Sequence, residues 1–460
     1  MTTSVSREPG TEGLILHEES LDRDIITLAL PAVGESLLIM MVFFVNTLLI
    51  GWMRDPDALA AVSLGGLLVN IANSLFSALA VAATSMVAHA CGSKNYEHAR
   101  KAGAQAILLA FIVAGVLVAA LWPSAELFLR IMGGNEAIID MGSSYLRIIL
   151  STSFFGFCLM VFNGIMRGSG DTRKPMYITM AMNIWNVIAA YVLIFGVGSF
   201  EGLGVIGAGI ATASARLIGS LLALHALLAG KSFIRIALKD IFQWDGHLAR
   251  KILTLSLPAA GEAVVTRAGS TLFMRIISSL GPVSLAAHQI AISVESLSFM
   301  PGWGLATAAA TLTGQCLGAR KPDLAEKAIR RTMRLSLIIM CTIGIAFVLW
   351  GQQIVTIFGS TPEVLSLAGT AVRIAALEQA SIAIVMVLNG TLRGAGDTRT
   401  PMLVTAFGVL LFRVVVVYLF AIVFGWGLAG VWLGTAVDWA GRAILVCVLF
   451  RRGKWKGLAV

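Results

Sequence analysis

Eleven ionisable side chains fall inside stretches that are otherwise apolar enough to be buried in hydrocarbon, where a charge is costly. They are Glu35, Glu262, Glu295, Glu378 and Asp438, with Arg216, Arg267, Arg275, Arg373, Arg413 and Arg442. A carboxylate in such a place has two readings: it is neutralised by an arginine at fixed geometry, or it stands ready for a proton or Na⁺, because desolvation opposes its charge. Glu295 and Glu378 lie deepest and are the candidates for coupling-ion chemistry, with a Na⁺ site at one or the other. Asp438 precedes Arg442 by four residues, the spacing of an intrahelical ion pair, and is either that pair or part of a second-half site with Arg275 and Arg413. Glu35 and Glu262 follow Pro31 and Pro258 by one helical turn. Each either satisfies backbone freed by its proline or acts as a gate.

The first half carries amides instead. Asn70 and Asn73 are one turn apart, as are Asn183 and Asn186, while Glu35 and Asn46 are three turns apart on one face of the same span. Singly such residues are more often packing hydrogen bonders than ligands; as a cluster they are candidates for a polar site. A further backbone feature is Phe299-Met300-Pro301-Gly302-Trp303-Gly304, six residues beyond Glu295 at its centre. Proline removes a helix hydrogen bond there, so Pro301, like Pro31 and Pro258, marks a kink: a packing kink, or a hinge beside a site.

These residues are positioned by a duplication. NGIMRGSGDTRKPM at 163–176 returns as NGTLRGAGDTRTPM at 389–402, with ten of fourteen positions identical. LALPAVGE (28–35) returns as LSLPAAGE (255–262), and Gly92-Ser93-Lys94 as Gly318-Ala319-Arg320. Two similar halves follow. Comparing them position by position sets Glu378 against Thr152, Glu295 against Val69, and Asp438 against Ala215; Glu262 alone has an acidic counterpart, Glu35. The halves share a fold but not a chemistry. In the duplicated loops, Arg167 and Asp171, and Arg393 and Asp397, are read as local ion-pair clamps between spans. No GK(S/T) follows the GSGD, so this is not a phosphate loop.

The chain is 57% hydrophobic and 13% charged, far from the roughly 25% charged of a globular domain. Twelve apolar spans are expected, near 25–50, 58–90, 102–122, 143–166, 175–196, 204–228, 252–280, 284–316, 333–350, 370–392, 401–424 and 427–450. The expected organisation is a cytoplasmic tail (1–24), a first lobe (25–230), a cytoplasmic loop (231–251), a second lobe (252–450) and a basic tail (451–460). Six spans between the repeated loops keep both on one side of the membrane, making the halves parallel repeats. With both termini inside, about 25 of the 34 basic residues are cytoplasmic and about three (Arg54, Arg130, Arg147) are outside. That asymmetry accounts for the net charge of +9 without nucleic acid. The five cysteines are scattered and show neither disulfide nor metal spacing.

The two six-span halves, the repeated RGxGDTRxPM loops, the LxLPAxGE openings and AAHQIAISVESLSFMPGWG (286–304) together resemble the prokaryotic multidrug and toxic compound extrusion (MATE) family. The resemblance covers about 25–450. It implies an all-α polytopic fold of twelve helices in two pseudo-symmetric lobes around a central cleft, and export of amphipathic cations in exchange for Na⁺ or H⁺. The sequence departs from the family where its carboxylates are best known. Where many members carry a first-span VDT, this chain has Val45-Asn46-Thr47; a second family aspartate falls at Ala190. A seventh-span acid of another branch falls at Thr266, with Glu262 one turn earlier, and the tenth-span acid is displaced to Glu378. A second-lobe site is the more consistent inference.

Three functions are weighed. An ion-coupled antiporter suits buried acids in a Met- and aromatic-rich setting. A flippase-like exporter of a lipid-linked, anionic or peptidic metabolite would need unpaired arginines, for which Arg267, Arg275 and Arg413 are candidates. A membrane enzyme would need a nucleophile elbow, metal cluster or paired catalytic acids, and none is evident. The expected setting is the cell (inner) membrane, with the lipid bilayer and a small amphipathic molecule as partners, the coupling ion Na⁺ or H⁺ as the sole cofactor, and a monomeric state.

Overall fold

The computed structural model describes residues 20–52, 56–131, 136–198, 200–230 and 232–458. Most of the expected N-terminal tail, Arg54, Lys231 and the last two residues of the C-terminal tail lie outside the described residues. Twelve long helices carry the fold: α1 (Leu21–Gly51), α2 (Pro56–Gly92), α3 (Tyr96–Leu121), α4 (Glu136–Gly168), α5 (Arg173–Phe195) and α6 (Gly204–Leu228), then α7 (Gly246–Ser279), α8 (Pro282–Gly318), α9 (Pro322–Thr356), α10 (Pro362–Gly394), α11 (Arg399–Val423) and α12 (Gly427–Arg451). Proline opens α8, α9 and α10, where its missing N–H costs nothing. A two-residue β ribbon, Gly196–Val197 with Phe200–Glu201, joins α5 to α6. The ribbon departs from the expected all-α fold, because strands of two residues are too short to show an alternating pattern.

Eleven of the twelve are long and apolar enough by themselves to cross a membrane. The exception is α7, which carries Glu262, Arg267 and Arg275. Exposed Leu, Ile, Val and aromatic side chains along α5, α9 and α11, such as Ile188, Ile345 and Leu410, form the apolar surface that lipid covers.

The chain divides into two compact units. The first is Gly34–Thr254; the second contains α1 up to Val33 together with the chain from Leu255 onward. In the first, α2 packs on α4, α4 on α6, and α5 on α6; in the second, α8 packs on α10, α10 on α12, and α11 on α12. The order of packing repeats with the sequence.

Close approach explains the repeated NGxxRG. A Cβ at Gly164 would lie 2.8 Å from the Ala80 carbonyl oxygen, and one at Gly168 2.6 Å from that of Thr84. The equivalent distances at Gly390 and Gly394 are 2.3 Å to Ala306 O and 2.1 Å to Ala310 O. The motif is therefore a GxxxG seam that seats α4 on α2 and α10 on α8. Thr84 Oγ1 adds a hydrogen bond to Gly164 O at 2.9 Å. The helix ends repeat as well: Asp171 N donates to Met166 O at 2.9 Å and Asp397 N to Leu392 O at 2.8 Å, with Gly170 and Gly396 at φ 93° and 89° between them. That is the closed C-terminus that glycine favours.

The 231–251 segment, expected as a polar loop, is anchored rather than loose. Ile234, Ile236 and Ile241 are buried, Gln105 Oε1 accepts from Asp245 N at 2.9 Å, and α7 already begins at Gly246. At the other end, Trp455 is buried and stacks on Phe450 at 4.9 Å.

Candidate functional site

The duplicated loops do not hold their arginines the way the sequence suggested. Asp171 bonds Lys174 at 2.8 Å and accepts from Ser232 Oγ at 3.3 Å, and Asp397 accepts from Thr400 N and Oγ1. Both aspartates thus cap the start of the next helix. The arginines reach across to the first helix of their own half instead. Arg167 Nη1 donates to Glu35 Oε2 at 3.4 Å, and Asn163 Nδ2 to Glu35 Oε1 at 3.2 Å. Arg393 Nη2 donates to both oxygens of Glu262 at 2.7 and 2.8 Å, and Thr405 Oγ1 donates to Oε1 at 2.9 Å. The clamp expected within each loop is therefore an interhelical bridge. The Asp and Arg are too close in sequence, across a tight turn, to face one another, whereas the proline-shifted turn after Pro31 and Pro258 brings the glutamate opposite the arginine.

The deeper acids assemble in the second unit. A cavity of about 270 Å³ is lined by Glu295, Glu378, Arg413 and Thr435 among Phe273, His288, Phe299, Trp432 and Trp439. Glu295 (α8) and Glu378 (α10) are 6% and 1% exposed, and both carboxyl groups face this one cavity. Thr435 Oγ1 donates to Trp432 O at 2.8 Å, and the buried Glu378 Oε2 has no hydrogen-bond partner among the described residues. Two carboxyl groups sharing a desolvated cavity favour a bound proton or cation. Backbone irregularity aims them. Residues Ala376–Glu378 form a single 3₁₀ turn in α10, and Gly408–Val416, which carries Arg413, is π-helical in α11. Such turns commonly mark functional positions.

Asp438 is taken. Arg442 Nε and Nη2 donate to its two oxygens at 2.6 Å each, and Arg413 Nε lies 2.8 Å from Oδ2. Trp439 lies under both guanidinium groups at 5.6 and 5.1 Å, and Phe273 flanks Arg413 at 5.5 Å. The four-residue spacing foresaw the Arg442 pair; Arg413, from another helix, makes it a triad. Two positive charges on one negative leave the site a surplus that faces the Glu295–Glu378 pair. Arg275 and Arg267 both lie outside the cavity lining. Pro301 sits six residues past the buried acid Glu295: Gly302 lies against the Met386 and Met340 sulfurs, and a Cβ at Gly304 would meet Val33 N at 2.5 Å. The kink makes room for α1.

The amides gather in the first unit. Asn46, Asn70, Asn73, Asn183 and Asn186 line one cavity of about 500 Å³ with Tyr145 and Arg216. Asn183 Nδ2 donates to Leu38 O at 2.6 Å. Arg216 is one of the eleven buried ionisable groups but not one of the site candidates, and His288 and Thr405 are not flagged by the sequence at all. Arg216 sits beside the Ala215 that answers Asp438, a juxtaposition open to notice; nothing in the sequence pairs His288 with Trp432.

The fold is a duplicated one of twelve long helices, eleven of them long and apolar enough to cross a membrane. The comparisons agree. The MatE family model matches residues 31–192 and 258–419, one copy per half, and the chain belongs to the MatE family. The probable multidrug resistance protein NorM of Thermotoga maritima is 33% identical over 441 residues, covering 95% of this chain and 94% of the relative. The multidrug resistance protein MdtK of Yersinia enterocolitica is 27% identical over 434 residues, 93% and 95% of the two chains. Among solved structures, MATE in complex with MaD3S superposes with TM-score 0.87 at 22% identity over 95% of this chain and 96% of that one. An outward-facing multidrug resistance MATE transporter of the MOP superfamily gives 0.88 at 22%, over 95% and 97%. These likenesses establish the fold.

Proposed function

We propose that the chain is a secondary active antiporter that exports amphipathic organic cations, by alternating access, in exchange for H⁺ or Na⁺. The observation that carries this reading is the Glu295–Glu378 pair: two buried carboxyls that line one aromatic pocket, beside an arginine already committed to Asp438. The pair takes up one proton, or one Na⁺ at the open Glu378 Oε2, and the desolvated setting makes the charge state of the pocket depend on that ion. An exporter needs such a term, because an ion shifts a conformational equilibrium only by its differential affinity for the two states. The names of NorM and MdtK, multidrug resistance proteins, support a small-molecule substrate. Both termini are cytoplasmic on this reading, from the distribution of Lys and Arg, the membrane is the cell's inner membrane, and the chain acts as a monomer.

The test is transport by the native protein in sealed liposomes loaded with ethidium. Efflux is expected when a Na⁺ or a proton gradient is imposed and only slow leak without one. Cation movement that ignores both gradients would overturn the antiporter reading.

A further inference from the structure

The amide-lined cavity of the first unit has a polarity opposite to that of the acidic pocket in the second. Its one charged lining residue among those described is Arg216. Among the described residues no carboxylate forms an ion pair with that guanidinium; the ionisable group beside it is the Tyr145 phenol. Its hydrogen bond is a single long one, Nη1 to Ser153 Oγ at 3.3 Å, which leaves most of its donors uncommitted. The arginine is built in rather than draped. Its methylenes cross Gly156 of α4, where a Cβ would stand 3.1 Å from Cδ. In the same cavity lining, Asn183 and Asn186 of the neighbouring helix α5 are 8% and 3% exposed, and the Oδ1 of each is buried without a partner among the described residues. The Asn183 Nδ2 is already committed to Leu38 O, so that amide offers an acceptor. Ile39, Val42, Val69 and Met182 supply apolar wall between these poles.

The duplication sharpens the contrast. In the second half Asp438 holds two arginines; in the first its counterpart is Ala215, itself a cavity wall residue next to Arg216. A half-buried cation kept without its acid is costly to the fold, and the cost is offset when an anion enters.

We propose that this cavity binds an amphipathic organic carboxylate. The carboxylate sits on Arg216, and a hydroxyl or N–H group of the same ligand donates to the Asn183 and Asn186 carbonyls. The volume of about 500 Å³ lies within the range of small-molecule sites, roughly 300–1,000 Å³, and admits a two-ring molecule. This goes beyond the antiporter reading, since it assigns a second site in the other unit and a different charge of ligand.

The experiment uses the full chain in lipid nanodiscs, with empty nanodiscs as blank, and follows the fluorescence anisotropy of 6-hydroxy-2-naphthoate. 2-Naphthol, which keeps the rings and hydroxyl but lacks the carboxylate, is the control. The native protein is expected to bind the naphthoate more tightly than the naphthol. Arg216→Gln is expected to weaken naphthoate binding about tenfold or more, the worth of a charge-assisted hydrogen bond, with naphthol unaffected, and Arg216→Lys to retain part. Asn46→Asp, isosteric and therefore tolerated by the fold, places a carboxylate on the same wall and is expected to weaken the naphthoate alone. Equal binding of the two ligands by the native protein, or naphthoate binding unmoved by both Arg216→Gln and Asn46→Asp, would overturn the proposal. Because binding is read without any gradient, either outcome leaves the ion-coupling reading to its own test.

Discussion

Asp438 shows how much a single residue can commit. It accepts from Arg442 at 2.6 Å through both oxygens and touches Arg413 at 2.8 Å while fully buried. Removing its charge with Asp438→Asn leaves two arginines facing each other without a counterion, a loss of about 3–5 kcal/mol for a broken buried pair. The thermal midpoint of the purified protein should fall clearly, and a midpoint within a degree of native would contradict the triad. The same comparison separates the duplicated bridges. Glu262 accepts three hydrogen bonds, two of them from Arg393 at 2.7 and 2.8 Å, whereas Glu35 accepts two longer ones. Charged hydrogen bonds contribute about 1.5–3 kcal/mol each, so Glu262→Gln should lower the midpoint more than Glu35→Gln. The reverse order would show that the second bridge is not the stronger. Much of this scale was legible beforehand: Asp438–Arg442 from helical spacing, Glu35 and Glu262 from the repeat. Their partners Arg167 and Arg393 were recognised but matched to the wrong acids, because sequence adjacency in a turn was taken for spatial adjacency. The third arm of the triad, Arg413, lies 25 residues upstream on another helix, and no local spacing reports it.

At the scale of elements, the helices were readable because all but α7 carry an apolar run long enough to cross a membrane, and the halves because their punctuation repeats. What the sequence did not reveal is why the punctuation is so alike. The glycines of NGxxRG are fixed by backbone on the facing helix, not by the loop they introduce. Gly394→Val should therefore damage folding, since its Cβ would stand 2.1 Å from the Ala310 carbonyl oxygen and overpacking of a tight seam costs about 1–3 kcal/mol or more. The yield of monodisperse protein after purification is the measure; a native yield would deny the seam. A milder change acts at Lys94 and Arg320, both at φ 57° at equivalent turns. A non-glycine residue there pays roughly 1 kcal/mol, so Lys94→Gly should raise the thermal midpoint slightly, and a lowered midpoint would show that the Lys94 side chain matters more than its backbone. The 3₁₀ turn before Gln379 and the π-helical stretch around Arg413 left no trace in periodicity. Both depend on packing across helices.

For the molecule as a whole, duplication supplied two copies of one scaffold, and substitution at matched positions gave them different interiors. The second half gathers Glu295, Glu378 and the Asp438 triad around one aromatic pocket; the first gathers asparagines around Arg216. Position-by-position comparison of the halves anticipated that divergence, and the structure adds that each set converges on a single cavity. The claim on which the functional account rests is that the Glu295–Glu378 pair couples transport to an ion. Its most direct measurement is ethidium efflux from liposomes under imposed Na⁺ and proton gradients, for the native protein and for Glu295→Gln and Glu378→Gln, each first checked for a native thermal midpoint. The expected result is gradient-driven efflux in the native protein that falls at least tenfold in both variants, while binding of ethidium without a gradient persists. Gradient-driven efflux at the native rate in both variants would contradict the account and leave the two carboxyls as packing partners.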